Sequence, residues 1–257
     1  MHLSVFAIFF GPLVNLMNFL QYLYVYHLWT AKSDLQNLVI DQNMTIKVYA
    51  EYGMNYLKEN ALSGDAFVQM AMQLAAYRLF GKQVATYESA HIRSFLHGRT
   101  EAIRSVSPQS HNFLERMGRA PEINPSPRTC DDKMSLLKAA MWAHSKYLNK
   151  ASKGHGCDRH FLGLSMLLEE RHAPPSLFQD PVFKRSQHWR LSTSTLRHVP
   201  GFGCAVDDGI GVGYNVDPDS ITFIVSSRSD GLNWTEKFIK LVEESLLELK
   251  ILVDRSN

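Results

Sequence analysis

Apolar residues dominate the start of the chain, and further on they fall into helical and strand rhythms. Leu3 to Trp29 is mostly apolar or aromatic, and no Lys, Arg, Asp or Glu occurs before residue 32. The run exceeds the roughly 20 residues needed to cross a bilayer, although Pro12, Asn15, Asn18 and Gln21 interrupt it. Residues 1–44 are therefore read as a separate apolar segment, in contact with a membrane through residues 3–29, buried, or a foreign start that replaces other sequence. Thr45 to Tyr52 (TIKVYAEY) alternates like a strand. Gly53 to Gly64 reads as a polar loop carrying Lys58. Ser63 is placed to cap a helix over Gly64–Phe80, with Asp65 in its positive first turn. Its apolar stripe is Phe67, Met70, Leu74, Tyr77 and Phe80, and Gly81 ends it. Val84 to Tyr87 reads as a short strand, and Ser107 with Pro108 starts a helix to Met117. Three prolines make Ala120–Thr129 a loop. Asp131–Lys153 reads as a long helix. Asp158–Glu170 reads as another, with Phe161, Leu162, Leu164, Met166 and Leu167 turned inward and Pro174-Pro175 closing it. Ile221–Ser227 is a strand. Asn233 caps a last amphipathic helix to about Leu252, with Phe238, Ile239, Leu241, Val242, Leu246, Leu247 and Leu249 on its apolar side. Helices alternate with strands, so the class is α/β.

Composition narrows the function more by exclusion than by assignment. The 257 residues are 45% hydrophobic and 20% charged, with a net charge of +2 and no dense basic run. No nucleic-acid partner is expected. Cys130, Cys157 and Cys204 are far apart, with neither disulfide nor zinc spacing, which fits a reducing compartment. No metal and no tightly bound cofactor is expected, and neither is an oligomer. The densest candidate chemistry is Leu191–Tyr214, LSTSTLRHVPGFGCAVDDGIGVGY, where hydroxyls sit beside a glycine-rich wall that a ligand or another backbone can approach closely.

Three segments then line up. Ala85–Ser105 contains ATYESA and GRTEAIRS. Gly156–Leu162 is GCDRHFL. LSTSTL at 191–196 is followed by VDDGIGVGY. In this order they resemble the choline/carnitine acyltransferase family, from about Thr45 to Leu252. The resemblance implies a mixed sheet flanked by helices, a chloramphenicol-acetyltransferase-like half of a two-part fold with the active site between the halves. It implies transfer of an acyl group between coenzyme A, a co-substrate, and carnitine. Tyr87, Ser89, Thr100 and Arg159 match residues that bind carnitine, with Tyr87, Thr100 and Arg159 on its carboxylate. Ser194 matches the serine that stabilises the oxyanion. Lys58, Ser63 and Asp65 fall in the coenzyme A loop, where Met54 and Ser145 stand at positions that are basic in other members.

The same resemblance supplies the finer expectations. Choline enzymes lack the matching threonine and arginine, so carnitine is preferred over choline. Val199, Pro200 and Gly201 stand where acetyl-specific members carry a bulky methionine, which favours a medium or long acyl chain. The family's general base is a histidine in a His-Ser-x-x-Asp-Gly-like motif upstream of the coenzyme A loop, and no such motif occurs here. The chain is therefore expected to be the C-terminal half, a fragment without that base, and His91, His97 and His160 are weak substitutes. The alternatives are a catalytically inactive protein that binds coenzyme A or acylcarnitine and, further off, a choline acetyltransferase. Relatives imply a mitochondrial, peroxisomal or endoplasmic reticulum setting, with the mitochondrion preferred.

Overall fold

The computed structural model describes residues 3–122, 126–168, 173–195, 201–229 and 231–256. The chain divides into two units, Met1–Gln42 and Asn43–Asn257. The first is essentially one helix, α1 (Leu3–Ile40). Its later side chains, from Phe19 through Ile40, are mostly exposed. Among the described residues no helix is long and apolar enough to cross a membrane. The apolar run counted in the sequence is diluted by Asn, Gln, His and Tyr, and then meets Lys32 and Asp34.

The second unit is a mixed six-stranded sheet with helices. Its strands are β1 (Gln42–Tyr49), β2 (Thr86–His91), β3 (Thr100–Arg104), β4 (Leu191–Thr195), β5 (Ile210–Val216) and β6 (Ile221–Arg228), in the order β1-β6-β5-β4-β2-β3. The central strands β2, β4 and β5 run parallel, while β3 and β6 pair antiparallel to β2 and β5. The helices are α2 (Met54–Glu59), α3 (Gly64–Phe80), α4 (Pro108–Met117), α5 (Pro127–Ser152), α6 (Asp158–Met166), α7 (Ser176–Gln179), α8 (Pro181–Ser186) and α9 (Trp234–Ser256). Side chains alternate across a strand. Leu191, Ile210, Val212, Tyr214, Ile221, Phe223 and Val225 therefore all face one way, into a single core with α3, α5 and α9.

Several sequence expectations change. The loop read over Gly53–Gly64 contains the helical turn α2, which buries Leu57. α3 is buried nearly all round, from Ala66 to Tyr77, rather than along one stripe, because it lies between the sheet, α5 and α9. Each fully buried Leu, Met or Phe there contributes about 1.5–3 kcal/mol. The strand expected at Val84–Tyr87 begins later and carries the whole Tyr87–Ser89 segment. α5 starts at Pro127 rather than Asp131. The Ser126 side chain accepts from the Thr129 N–H, and a proline costs nothing at a position whose own N–H has no partner. α6 ends at Met166, and Leu162, Leu164, Met166 and Leu167 are exposed instead of inward, at 47%, 41%, 77% and 79%. The helix lies at the β3 edge, and its polar contacts with the sheet come from Asp158 and Arg159 in its first turn. Leu247, expected on the apolar side of α9, is also exposed.

One buried ion cluster ties α3, α5 and α9 together. Arg78 Nη2 lies 2.7 Å from Glu248 Oε2, and Lys133 Nζ lies 3.6 Å from Glu248 Oε1 and 2.8 Å from Glu122 Oε2. The Arg78, Lys133 and Glu248 side chains are all nearly inaccessible. Removing the shared anion strands the buried Arg78 and leaves Lys133 with Glu122 alone. Glu248→Ala is therefore expected to lower unfolding stability by about 3–5 kcal/mol, read from urea denaturation of the purified chain.

Candidate functional site

The alternation along β2 separates two sets of groups. Tyr87, Ser89 and His91 face one way, and Thr86, Glu88 and Ala90 face the core. In β4, Ser192 and Ser194 lie on the Tyr87 side, and Leu191, Thr193 and Thr195 on the core side. Parallel register sets Tyr87 beside Ser192. The hydroxyls of Ser89 and Ser194 are 2.8 Å apart. Across β4 the partners of Ser192 and Ser194 are Gly211 and Gly213, so no side chain crowds the two serines from that strand. A Cβ at Gly211 would lie 2.8 Å from the Phe202 carbonyl oxygen. The glycine is what lets segment 201–203 lie against this face, where the Ser226 hydroxyl donates to the same carbonyl.

Arg159 joins this face from the start of α6. Three contacts fix that helix end. Arg104 grips Asp158 through two N–H groups, at 2.6 and 3.0 Å, and also lies 4.6 Å over the Trp189 ring. Glu101 Oε1 accepts from the Arg159 backbone N–H at 3.2 Å. Gly156 makes room for that carboxylate, since a Cβ there would lie 2.2 Å from Glu101 Cγ. The Arg159 guanidinium then donates to the Thr100 carbonyl (3.2 Å), the Thr100 hydroxyl (3.4 Å) and the Tyr87 hydroxyl (3.3 Å). Tyr87, Thr100 and Arg159 are thus brought together, and Tyr87 and Arg159 line a cavity of about 240 Å³ with Leu162, Ser165, Gln187 and Trp189. Nη1 of Arg159 takes part in none of these bonds, and among the described residues no carboxylate is paired with this guanidinium. A planar fork with spare donors in a cavity is suited to a carboxylate or phosphate ligand.

The core side of the same strands holds a charge cluster. His144 of α5 is 3% exposed. Its Nε2 lies 3.1 Å from Glu88 Oε2 and 3.4 Å from Asp65 Oδ2, without a well-aligned hydrogen bond to either, so the attraction is that of an ion pair. The Tyr214 hydroxyl reaches Asp65 Oδ1 at 2.5 Å and Glu88 Oε1 at 3.1 Å. Gln69 donates to the hydroxyls of Tyr214 and Thr193, Thr193 donates to the Tyr87 carbonyl, and Thr195 donates to Asp65 Oδ1. Burial alone would depress the imidazole, but the two carboxylates outweigh it and push His144 up to about 9. Burial raises Glu88, helped by the nearby Asp65 charge and only partly offset by His144. For Asp65, the nearby His144 cation and the hydrogen bond from Tyr214 overcome burial and hold it below the usual carboxylate range. The consistent state near neutrality pairs an imidazolium with ionised Asp65 beside a Glu88 that holds its proton more tightly. His144, Glu88 and Tyr214 escaped the sequence reading. The available signal was helical spacing, because Lys133, Leu137, Ala140, Met141 and His144 form one inward stripe and all are buried.

The remaining expected site residues lie apart from the cavity. Ser63 caps α3 by accepting from the Ala66 N–H, Lys58 is exposed on α2, and Asp65 is held in the charge cluster. Met54 packs its Sδ and Cε against Gly64, and Ser145 is half-buried on α5. Val199 and Pro200 fall outside the described residues. His91 and His160 are exposed and His97 occupies a left-handed turn position. None of the three is hydrogen-bonded to Tyr87, Ser89, Ser194 or Arg159 among the described residues.

A sequence profile described as Choline/Carnitine o-acyltransferase matches residues 25–244. The chain belongs to the choline/carnitine O-acyltransferase family. It is 37% identical over 230 residues to carnitine O-acetyltransferase from Columba livia, covering 87% of this chain and 36% of that protein. It is 37% identical over 229 residues to the Homo sapiens carnitine O-acetyltransferase, with the same shares, and 38% identical over 223 residues to choline O-acetyltransferase from Sus scrofa, covering 84% and 34%. This family member thus spans about a third of the length of the curated relatives it matches. Among solved structures, the wax ester synthase/diacylglycerol acyltransferase from Marinobacter aquaeolei VT8 overlaps it with a TM-score of 0.40 at 11% identity, over 83% of this chain and 49% of that one; a likeness this loose does not bear on the fold.

Tyr214→Phe tests the cluster directly. The change keeps the ring in the core and deletes the donor shared by the buried Glu88 and half-buried Asp65 carboxyl groups. An expected loss of about 1.5–3 kcal/mol, the range for hydrogen bonds to charged groups, is read from urea denaturation.

Proposed function

We propose that this chain supplies the acceptor-binding part of a carnitine O-acyltransferase site. In the reaction, the carnitine hydroxyl oxygen attacks the thioester carbonyl of an acyl-coenzyme A. A C–O bond forms, the C–S bond breaks, and the hydroxyl proton ends on the coenzyme A thiolate. The observation that carries this reading is the convergence of Arg159, Thr100 and Tyr87, with spare guanidinium donors and no protein carboxylate paired to Arg159 among the described residues. Carnitine differs from choline by a carboxylate. A carboxylate on Arg159 gains charge-assisted hydrogen bonds in a partly enclosed cavity, whereas choline leaves the guanidinium unused and adds a second cation close by. Carnitine is therefore the acceptor this geometry supports, although relatives of both kinds match the chain.

Ser194 is the proposed stabiliser of the oxyanion. Its Ser89 partner orients it, and the adjoining glycines leave space for the reacting carbonyl. The small residues Val199, Pro200 and Gly201 support a medium or long acyl chain. On the coenzyme side, Lys58 and the capped start of α3 are the proposed contacts.

Calorimetric titration of the purified chain with L-carnitine and with choline tests the assignment. Arg159→Ala is expected to weaken carnitine by about a hundredfold, in line with loss of a charge-assisted pair of about 1.5–3 kcal/mol, and to leave choline unchanged. Arg159→Lys recovers only part of the loss, because a point charge cannot reproduce the fork. Equal effects on both ligands would remove Arg159 from carboxylate recognition.

A further inference from the structure

We propose that His144 is a positioning residue for this site: a buried cation that ties Asp65, on the coenzyme side, to Glu88, on the acceptor-side strand. The proposal rests on the acyl-transfer reading and adds to it a residue that touches neither substrate.

The geometry that carries it is the placement of the two carboxylates. Glu88 stands between Tyr87 and Ser89 in β2, so its position sets theirs. Asp65 stands in the first turn of α3 and accepts from Thr195, the residue after Ser194 in β4. One imidazole nitrogen lies 3.1 and 3.4 Å from these two groups, and its side chain is 1% exposed. Without a cation there, the buried Glu88 and the half-buried Asp65 lose the group that draws them together; Glu88 takes up a proton, and β2 and the α3 turn are free to shift apart. Such a shift changes the 2.8 Å contact between the Ser89 and Ser194 hydroxyls, because each is a strand neighbour of a group held by the cluster. Displacements of about 1 Å are enough to cost two orders of magnitude at a reacting centre.

The ionisable groups facing His144 are Asp65 from α3, Glu88 from β2 and, through those two, Tyr214 from β5. Along its own helix, Lys133 is engaged with Glu122 and Glu248. A histidine raised in the folded state contributes stability that is complete below its ordinary value of 6.5 and is lost as pH rises through about 9. The site is thus expected to hold together through the physiological range and to loosen on the alkaline side.

The test uses the whole chain, wild type and H144Q, which keeps a polar side chain of similar reach without the charge. Three quantities are measured: L-carnitine affinity by calorimetry from about pH 6.5 to above about 9, nitrogen-15 resonances of the histidine rings, and amide hydrogen exchange at Ser89 and Ser194. The wild type is expected to bind with constant affinity to about pH 8 and to lose about tenfold above pH 9, with the His144 ring an imidazolium at neutral pH. H144Q is expected to bind about tenfold more weakly already at neutral pH, with no alkaline step, and to exchange the two amides at least about tenfold faster. A purely space-filling role would leave the pH profile the same in both proteins, and that result overturns the proposal. If H144Q does not fold, the wild-type profile and ring signals decide, and a neutral ring at neutral pH overturns it. A wild-type chain that binds no carnitine at any pH sinks the acyl-transfer reading instead. The ring charge and the exchange rates then still decide whether His144 holds the two strands.

Discussion

The constraint on which the site depends is the two-residue period of β2 and β4. Residues on a strand alternate between faces, so Tyr87 and Ser89 can reach the cavity side only if Glu88 enters the core. The same holds for Thr193 between Ser192 and Ser194. A slip of one residue in either strand would exchange the two sets and place hydroxyls in the core and a carboxylate in the cavity. The core side therefore needs groups that accept Glu88 and Thr193 in one register only. Tyr214, Gln69, Asp65 and His144 do this, with hydrogen bonds and ion pairs between about 2.5 and 3.4 Å. An apolar core would pack against either register with much less discrimination.

Openness on the other face comes from the opposite strategy. Gly211 and Gly213 lie beside the serines and remove the side chains that would otherwise cover them. Segment 201–203 fills part of that space and is fastened through Ser226. At the sheet edge, Gly156 gives way to Glu101, which fixes the first turn of α6 and so the direction from which Arg159 enters. Backbone permissiveness and side-chain specificity thus act at different places: glycines set what can approach, and the charge cluster sets where the hydroxyls stand.

Much of this was legible in the sequence, and the gaps have identifiable causes. The caps at Ser63 and Ser107 announced α3 and α4, because a hydroxyl ahead of an apolar run satisfies an end N–H that nothing else reaches. The β6 and α9 elements followed from their periodicity. The residues that meet on the cavity side, Tyr87, Thr100 and Arg159, carry recognisable motifs. α6 misled because an apolar spacing shows which residues share a stripe and not whether anything covers it; Met166 and Leu167 share that stripe and remain exposed. α2 was hidden by the polarity of Asn55, Lys58 and Glu59, all on its solvent side. His144 was hidden because its partners lie 79 and 56 positions earlier in the chain, at Asp65 and Glu88, and no local pattern joins three elements. Its only local trace was a histidine in an inward stripe.

That trace also explains why the cluster has the composition it does. A buried Glu and His cost several kcal/mol each in lost hydration, the half-buried Asp65 less, and well-packed apolar residues of the same volume are often more stable than buried ions. Stability alone gives no reason for such a trio to sit between α3, α5 and β2. Position does, because the three side chains are charged, short or rigid, and each is reachable from one element only. Moving any element by the width of a methyl group breaks a contact worth far more than the dispersion an aliphatic neighbour would lose. The cost in stability is spread over the whole core, which the tightly packed α3 can bear, while the gain is local and falls on the two strand positions, 89 and 194, where half-buried hydroxyls meet.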